Sequence, residues 1–426
     1  MKKLIVNGAE QLYGEVSAGG AKNAAVAIIP ATVLARGRCV LENVPDIHDT
    51  ELLFSMLRAM GATVEKLSRT SAIIDTSTLT ESTVPYELSK HMRASYYFIG
   101  SLLGRFGQAC VSMPGGCNFG VRPIDQHIKG FELLGAEIRI ENGLIYADTE
   151  GLQGAHIYFD QVSVGATINV MLAAVKASGM TVLENVAKEP HIVDLANFLN
   201  SMGADIRGAG TDVIKVHGVK NLKGVTYSII PDQIEAGTYM AAVAAAGGDV
   251  VIQNVIPKHL ESITAKLLEM GVTIEEYDDA VRVISNGRLN KCNIKTMPHP
   301  GFPTDMQPQI AAALTTANGT SMITESVFDN RFRYVEELKR FGAQISVDGK
   351  LAVIQGVDHL TAAPVKANDL RAGAAMIIAA LCAHGTSQID EIQHIERGYE
   401  NVVEKFAALG ADIHRVSSEQ TAVRVG

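Results

Sequence analysis

Residues 112–120 read SMPGGCNFG, three glycines and a proline around Cys117, with Arg122 close behind. So glycine-rich a stretch is a loop, and a nearby guanidinium lowers the pKa of a thiol, which makes Cys117 a candidate acid or nucleophile. Cysteine also serves as a small apolar core residue, and that role suits Cys39, Cys110 and Cys382, which fall in strand or helix patterns. The segment SAGGAKNAA (17–25) sets Lys22 and Asn23 after two glycines at a helix start. Free N–H groups there attract anions and a lysine adds charge; the alternative is an ordinary solvated lysine. Arg93 in HMRASYY and Arg371 in DLRAGAA begin helical segments, and Arg397 in IERGYEN stands on a loop before one. Guanidinium groups clamp carboxylate and phosphate, so these three with Arg122 and Lys22 suggest a pocket for a small polyanion. HPGFPTDMQP (299–308) holds Thr304 and Asp305 before another helix. Asp305 suits an N-cap and equally a general base. Asp232 and Glu235 in PDQIEAG, and Glu189 in KEP, take comparable places.

The elements that must carry these groups recur. A helix ending in Gly-Ala or Gly-Val, followed by a strand, appears with its glycine at Gly61, Gly135, Gly203, Gly271, Gly342 and Gly410. The glycines lie 68 to 74 residues apart. Each is placed where a left-handed residue ends a helix. In the first copy VLENV (40–44) reads as a strand, Asp49 or Thr50 can cap the next helix, and Leu52, Leu53, Met56, Leu57 and Met60 form one apolar stripe. A second helix of each copy, such as GTYMAAVAAAG (237–247), is apolar nearly all round and so is expected inside. Alternating strands and helices predict an α/β protein. The pattern predicts six repeated units, three per domain, with inner helices buried and sheets outside. The strand LIVNG (4–8) begins mid-unit and resembles strands that close units, so it is expected to pair with the C-terminal half. Two domains follow, residues 22–229 and residues 1–21 with 230–426, joined by crossings near residues 20 and 230, with the active-site cleft between them.

Composition narrows the class. The 426 residues are 47% hydrophobic, with only 5% aromatic and no tryptophan, which supplies ample apolar surface for two cores. A net charge of −9 disfavours a nucleic-acid coat. Five cysteines with no C-x-x-C pair argue against a disulfide framework or zinc site and for a reducing compartment. MKKLIVNGAE lacks a signal-peptide apolar run, and AAVAIIPATVLA (24–35) is too short to span a bilayer. The expectation is a cytoplasmic protein without membrane insertion. No Gly-rich nucleotide-binding fingerprint occurs.

GGAKNAA, PGGCNFGVRPID, SVGAT, FPTDMQPQ, DLRAGAA and IERGYEN, in this order, resemble the UDP-N-acetylglucosamine 1-carboxyvinyltransferases, enolpyruvyl transferases that share a fold with EPSP synthase. The resemblance spans the chain and is most specific in the Cys117 loop. It implies a two-domain inside-out α/β barrel and transfer of the enolpyruvyl unit of phosphoenolpyruvate to the 3′-hydroxyl of UDP-N-acetylglucosamine, the first committed step of peptidoglycan synthesis. It implies no metal and no organic cofactor. Lys22, Arg122 and Arg397 would bind phosphoenolpyruvate, with Arg93 supporting. Cys117 would be the acid that protonates the methylene carbon and the residue that fosfomycin, a covalent inhibitor, alkylates. Asp305 would take the 3′-hydroxyl proton. The nucleotide sugar would meet Asn23, Arg93, Pro123, Asp125, Gln126, Ser163, Val164, Gly165, Glu189, Thr304, Asp305 and Val327, while Asp369 and Arg371 match a motif of the second domain that faces the cleft. Gln161 replaces a lysine common in the family, which removes one possible diphosphate contact. Two alternatives stand beside this one: transfer to shikimate 3-phosphate, which does not rely on a thiol at this place, and a catalytically silent nucleotide-sugar-binding paralogue.

Overall fold

The computed structural model describes residues 2–8, 11–113 and 123–417. Cys117 and Arg122 lie outside the described residues. The chain divides into two compact units, one of Met1–Gly19 with Pro231–Gly426 and one of Gly20–Ile230. Both are mixed α/β.

In the second of these, helices Lys22–Ala31, Phe98–Phe106 and Val164–Ala174 form the centre of the core. Phe98–Phe106 packs on both others. Val164–Ala174 shows why: every residue from Gly165 to Ala174 is buried, because no face of the helix carries charge. In the other unit, helices Gln233–Ala246, Gln307–Leu314 and Leu370–Cys382 pack on one another in the same way. Each buried Leu, Ile or Met side chain there contributes about 1.5–3 kcal/mol relative to exposure.

The sheets share one design. Met180–Glu184 pairs antiparallel with Val213–His217 and parallel with His156–Tyr158. Thr320–Thr324 likewise pairs antiparallel with Leu351–Gln355 and parallel with Ile294–Lys295. In both, the short parallel strand precedes a buried helix and the longer strand follows it. At the unit boundaries the pairing is exchanged. Leu12–Ser17 precedes helix Lys22–Ala31 in sequence yet pairs with Gly248–Gln253 of its own unit, and Thr226–Ser228 pairs with Arg38–Glu42. Each segment therefore docks on the sheet of the unit it leaves. Lys2–Asn7 pairs antiparallel with Thr386–Asp390 and Asp412–Ser417, the C-terminal partnership expected of a strand that begins mid-unit.

The repeated glycines all have positive φ, between 89° and 107°, a backbone state that costs other residues dearly. A second left-handed device was not visible in the sequence. Asn43, Asn185 and Asn254 have φ of 52°, 56° and 53°, and their amide groups donate to the carbonyls of Ile229, Phe159 and Ala18. Each asparagine thus ties the end of a central strand to its parallel neighbour. One expectation is corrected: neither Asp49 nor Thr50 caps the helix His48–Ala59, whose N-cap is Ile47. Thr50 donates to the carbonyls of Pro45 and Ile47, and Asp49 forms an ion pair with Lys22.

Candidate functional site

In the unit of Met1–Gly19 and Pro231–Gly426, Asp232, Thr304, Asp305, Asp369 and Arg371 of the expected site residues stand at the N-terminal ends of the buried helices. Asp305 sits in the short helix Thr304–Met306, which runs into Gln307–Leu314. It is not the N-cap of either helix; those are Pro303 and Met306. Its Oδ1 accepts from Arg331 Nη2 at 3.2 Å, and its Oδ2 from Arg371 Nη2 at 3.2 Å. The two arginine side chains are 2% and 3% exposed against 29% for Asp305, so a carboxylate open to solvent is backed by two interior cations. That geometry holds the carboxylate fixed and leaves it reachable.

Arg371 is further held over the Tyr399 ring, 5.4 Å from its centroid. Burial works against its charge, but Tyr399, Asp305 and Asp232 outweigh it and raise its pKa above the ordinary arginine value. The guanidinium expected to share in anion binding is therefore engaged with Asp305. Asp232 and Asp369 are N-caps: Asp232 accepts from the N–H groups of Ile234 and Glu235, Asp369 from those of Arg371 and Ala372. Thr304 donates to Glu325 at 2.9 Å, and the Val327 N–H donates to Glu325 at 2.8 Å. Arg397 is half-buried in the turn between the helices Ile392–His394 and Val402–Ala408.

In the unit of Gly20–Ile230, Lys22 opens its helix and pairs with Asp49 Oδ2 at 2.8 Å. Gly20 has to be glycine because a Cβ there would stand 1.7 Å from the Asn43 carbonyl oxygen. Arg93 begins the short helix Arg93–Tyr97 and lies over the Tyr96 ring. Ser163 caps Val164–Ala174 by accepting from the Ala166 N–H. Gly165 packs so closely that a Cβ would meet Tyr96 Oη at 2.3 Å and His127 Nε2 at 2.7 Å. Burial, then repulsion from Arg93, pulls the His127 pKa down to about 3, so this imidazole is neutral. Gln126 donates to Asp125 and Asp160 and accepts from the Asp160 N–H, and Lys129 pairs with Asp160. Asp125, Gln126, Ser163, Val164 and Gly165 are thus drawn together through residues 125–127 and 160–165, while Pro123 is exposed just ahead of them in the chain. Glu189 and Asn23 stand at the starts of their helices, Pro190–Ser201 and Lys22–Ala31. Among the described residues no group of three or more His, Cys, Asp or Glu is placed to hold a metal ion, and no helix is long and apolar enough to cross a membrane.

The family profile described as EPSP synthase (3-phosphoshikimate 1-carboxyvinyltransferase) matches residues 6–406. The chain belongs to this enolpyruvyl transferase family. Among its relatives, UDP-N-acetylglucosamine 1-carboxyvinyltransferase 3 of Caldanaerobacter subterraneus is 58% identical over 98% of this chain and 100% of its own. The UDP-N-acetylglucosamine 1-carboxyvinyltransferase of Clostridium botulinum is also 58% identical, over 98% and 100%. The enolpyruvyl transferase NikO of Streptomyces tendae superposes with a TM-score of 0.89 at 26% identity, covering 98% of this chain and 99% of NikO. An EPSP synthase of Acinetobacter baumannii gives 0.77 at 19% identity over 98% and 100%, a likeness of fold.

In this enolpyruvyl transferase, sequence reasoning missed Arg331 and Glu325, the partners of Asp305 and Thr304. Arg331 sits in NRFR, where it reads as one charge on an amphipathic helix, and Glu325 ends a strand pattern. The available signal for Glu325 was an acidic residue directly after the apolar strand MIT (322–324).

Proposed function

We propose that this protein transfers the enolpyruvyl group of phosphoenolpyruvate to the 3′-hydroxyl of UDP-N-acetylglucosamine and releases phosphate. The observation that carries the reading is full-length identity of 58% to transferases of that name, together with the presence of Lys22, Cys117, Asp305 and Arg397 in this chain. We place the reaction in the cytoplasm as the first committed step of peptidoglycan synthesis. The architecture we propose is the inside-out α/β barrel pair, six copies of one unit and three per domain, with the domains and cleft as expected from the sequence.

Each residue has a role in this reading. Lys22, Arg122 and Arg397, with Arg93, neutralise the phosphate and carboxylate of phosphoenolpyruvate. The Cys117 thiol gives its proton to the methylene carbon, so C3 becomes a methyl group and C2 an oxocarbenium-like centre. The 3′-oxygen bonds to C2 while Asp305 takes the hydroxyl proton, and a tetrahedral ketal results. The Cys117 thiolate then takes a proton back from the methyl group as the C2–O bond to phosphate breaks, giving the enol ether, and the proton held by Asp305 leaves on the phosphate. Fixed charges at such a centre lower the barrier, and water must be kept from it. The nucleotide half rests on Pro123, Asp125, Gln126, Ser163, Val164 and Gly165, and the sugar on Asn23, Glu189, Thr304 and Val327. Cys117 is also the atom that fosfomycin alkylates.

The test is acceptor choice. Purified protein with phosphoenolpyruvate is given UDP-N-acetylglucosamine or shikimate 3-phosphate, and the product is identified by mass. An enolpyruvyl adduct of the nucleotide sugar alone is expected. An adduct of shikimate 3-phosphate, or none of either, overturns the reading.

A further inference from the structure

Glu325 follows directly on the strand Thr320–Thr324, is 1% exposed, and its N–H is fixed on the Lys350 carbonyl at 2.8 Å. Its carboxylate accepts four hydrogen bonds. Oε1 takes Thr296 Oγ1 at 2.8 Å, the Val327 N–H at 2.8 Å and the Phe328 N–H at 3.1 Å; Oε2 takes Thr304 Oγ1 at 2.9 Å. Thr296 Oγ1 in turn accepts from the Ser326 N–H at 3.0 Å. A buried carboxylate without donors would be costly, and one with four is a rigid fixed point. The segments it joins are telling. Thr304 is the residue before Asp305, and residues 327–328 lead into the helix Arg331–Tyr334 that supplies one of the two cations on Asp305. One side chain therefore sets the positions of both the carboxylate and its counter-ion.

We infer that Glu325 is a positioning residue for Asp305: it does not touch the reacting atoms but holds the Asp305 carboxylate at the place and angle from which it accepts a proton. The inference rests on the role of Asp305 proposed above. The pocket for phosphoenolpyruvate uses other residues, so the effect falls on kcat and spares the phosphoenolpyruvate KM. A misplacement of about 1 Å costs up to about a hundredfold in rate.

The experiment is a double-mutant cycle of Glu325→Gln and Asp305→Asn in the full chain, with kcat, KM for phosphoenolpyruvate and thermal unfolding measured on each variant. Glu325→Gln is expected to lower kcat about ten- to a hundredfold with the phosphoenolpyruvate KM unchanged. Placed on Asp305→Asn, it is expected to cost nothing more. An unaltered kcat in Glu325→Gln, or an equal loss in both backgrounds, overturns the inference while leaving the reading of Asp305 intact. Full activity of Asp305→Asn removes that reading itself. Should Glu325→Gln not fold, Thr296→Val removes the Thr296 donor to Oε1 at a residue given no substrate contact and must show the same kcat loss and the same non-additivity; their absence overturns the inference.

Discussion

Asp305 binds two buried arginines, and this makes its removal a matter of stability as well as catalysis. Taking one partner from a buried ion pair leaves uncompensated charge and costs about 3–5 kcal/mol. The partial exposure of Asp305 places Asp305→Ala at the lower end of that range, measured by urea unfolding; a variant as stable as the parent contradicts the pairing. Cys117→Asp is expected to keep turnover, since a carboxyl group also delivers a proton, and to lose alkylation by fosfomycin as read by mass spectrometry. An inactive variant contradicts a purely acidic role. Arg397→Ala is expected to weaken phosphoenolpyruvate binding far more than nucleotide-sugar binding; calorimetry showing equal losses removes the assigned role. At this scale the sequence made legible the residues that look out of place. Lys22 is a charge in an apolar helix start, and Cys117 is a thiol among glycines. Arg331 and Glu325 stayed hidden because each reads as an ordinary charge beside a helix or strand pattern, and only their three-dimensional partners set them apart.

Among elements, the helix Pro190–Ser201 holds the end of its unit through one buried carboxylate. Asp194 accepts from Tyr227 Oη at 2.6 Å and from the Ile230 N–H at 3.3 Å. Burial raises its pKa from 3.8 to about 6, against the opposite pull of those two donors. An acid whose pKa is raised in the folded state binds more protons folded than unfolded. Its contribution to stability is therefore greatest at low pH and is lost as pH rises from about 4 to about 6. The wild type should lose stability relative to Asp194→Asn across that window, by up to about 3 kcal/mol. Chemical denaturation at several pH values checks this, and a pH-independent difference contradicts it. Gly165→Ala is expected to destabilise by about 1–3 kcal/mol, seen in thermal unfolding, because its new methyl group must displace Tyr96 or His127. Helices that end in glycine were readable in the sequence because their apolar stripes and C-terminal glycines repeat. The short parallel strands, such as His156–Tyr158 and Ile294–Lys295, were not. They are too brief for any alternation to register, and only the sheet beside them defines them.

For the molecule as a whole, the starts of the buried helices are charged differently in the two units, carboxylate N-caps and first-turn groups with Arg371 in one and cations in the other. Asp232, Asp305 and Asp369 stand at helix starts in one, where negative charge suits the helix dipole. Lys22 and Arg93 stand at helix starts in the other, against that preference. Local rules are broken most often where function requires it, and these cations are the ones assigned to the anionic donor. A net charge of −9 with cations kept at such positions fits small anionic substrates better than a nucleic-acid partner. The proposed activity is one coupled reaction of two substrates. It is tested most directly by phosphate release from the purified protein with each substrate omitted in turn. Release only when phosphoenolpyruvate and UDP-N-acetylglucosamine are both present is the predicted result; release from phosphoenolpyruvate alone, or none with both, would contradict it.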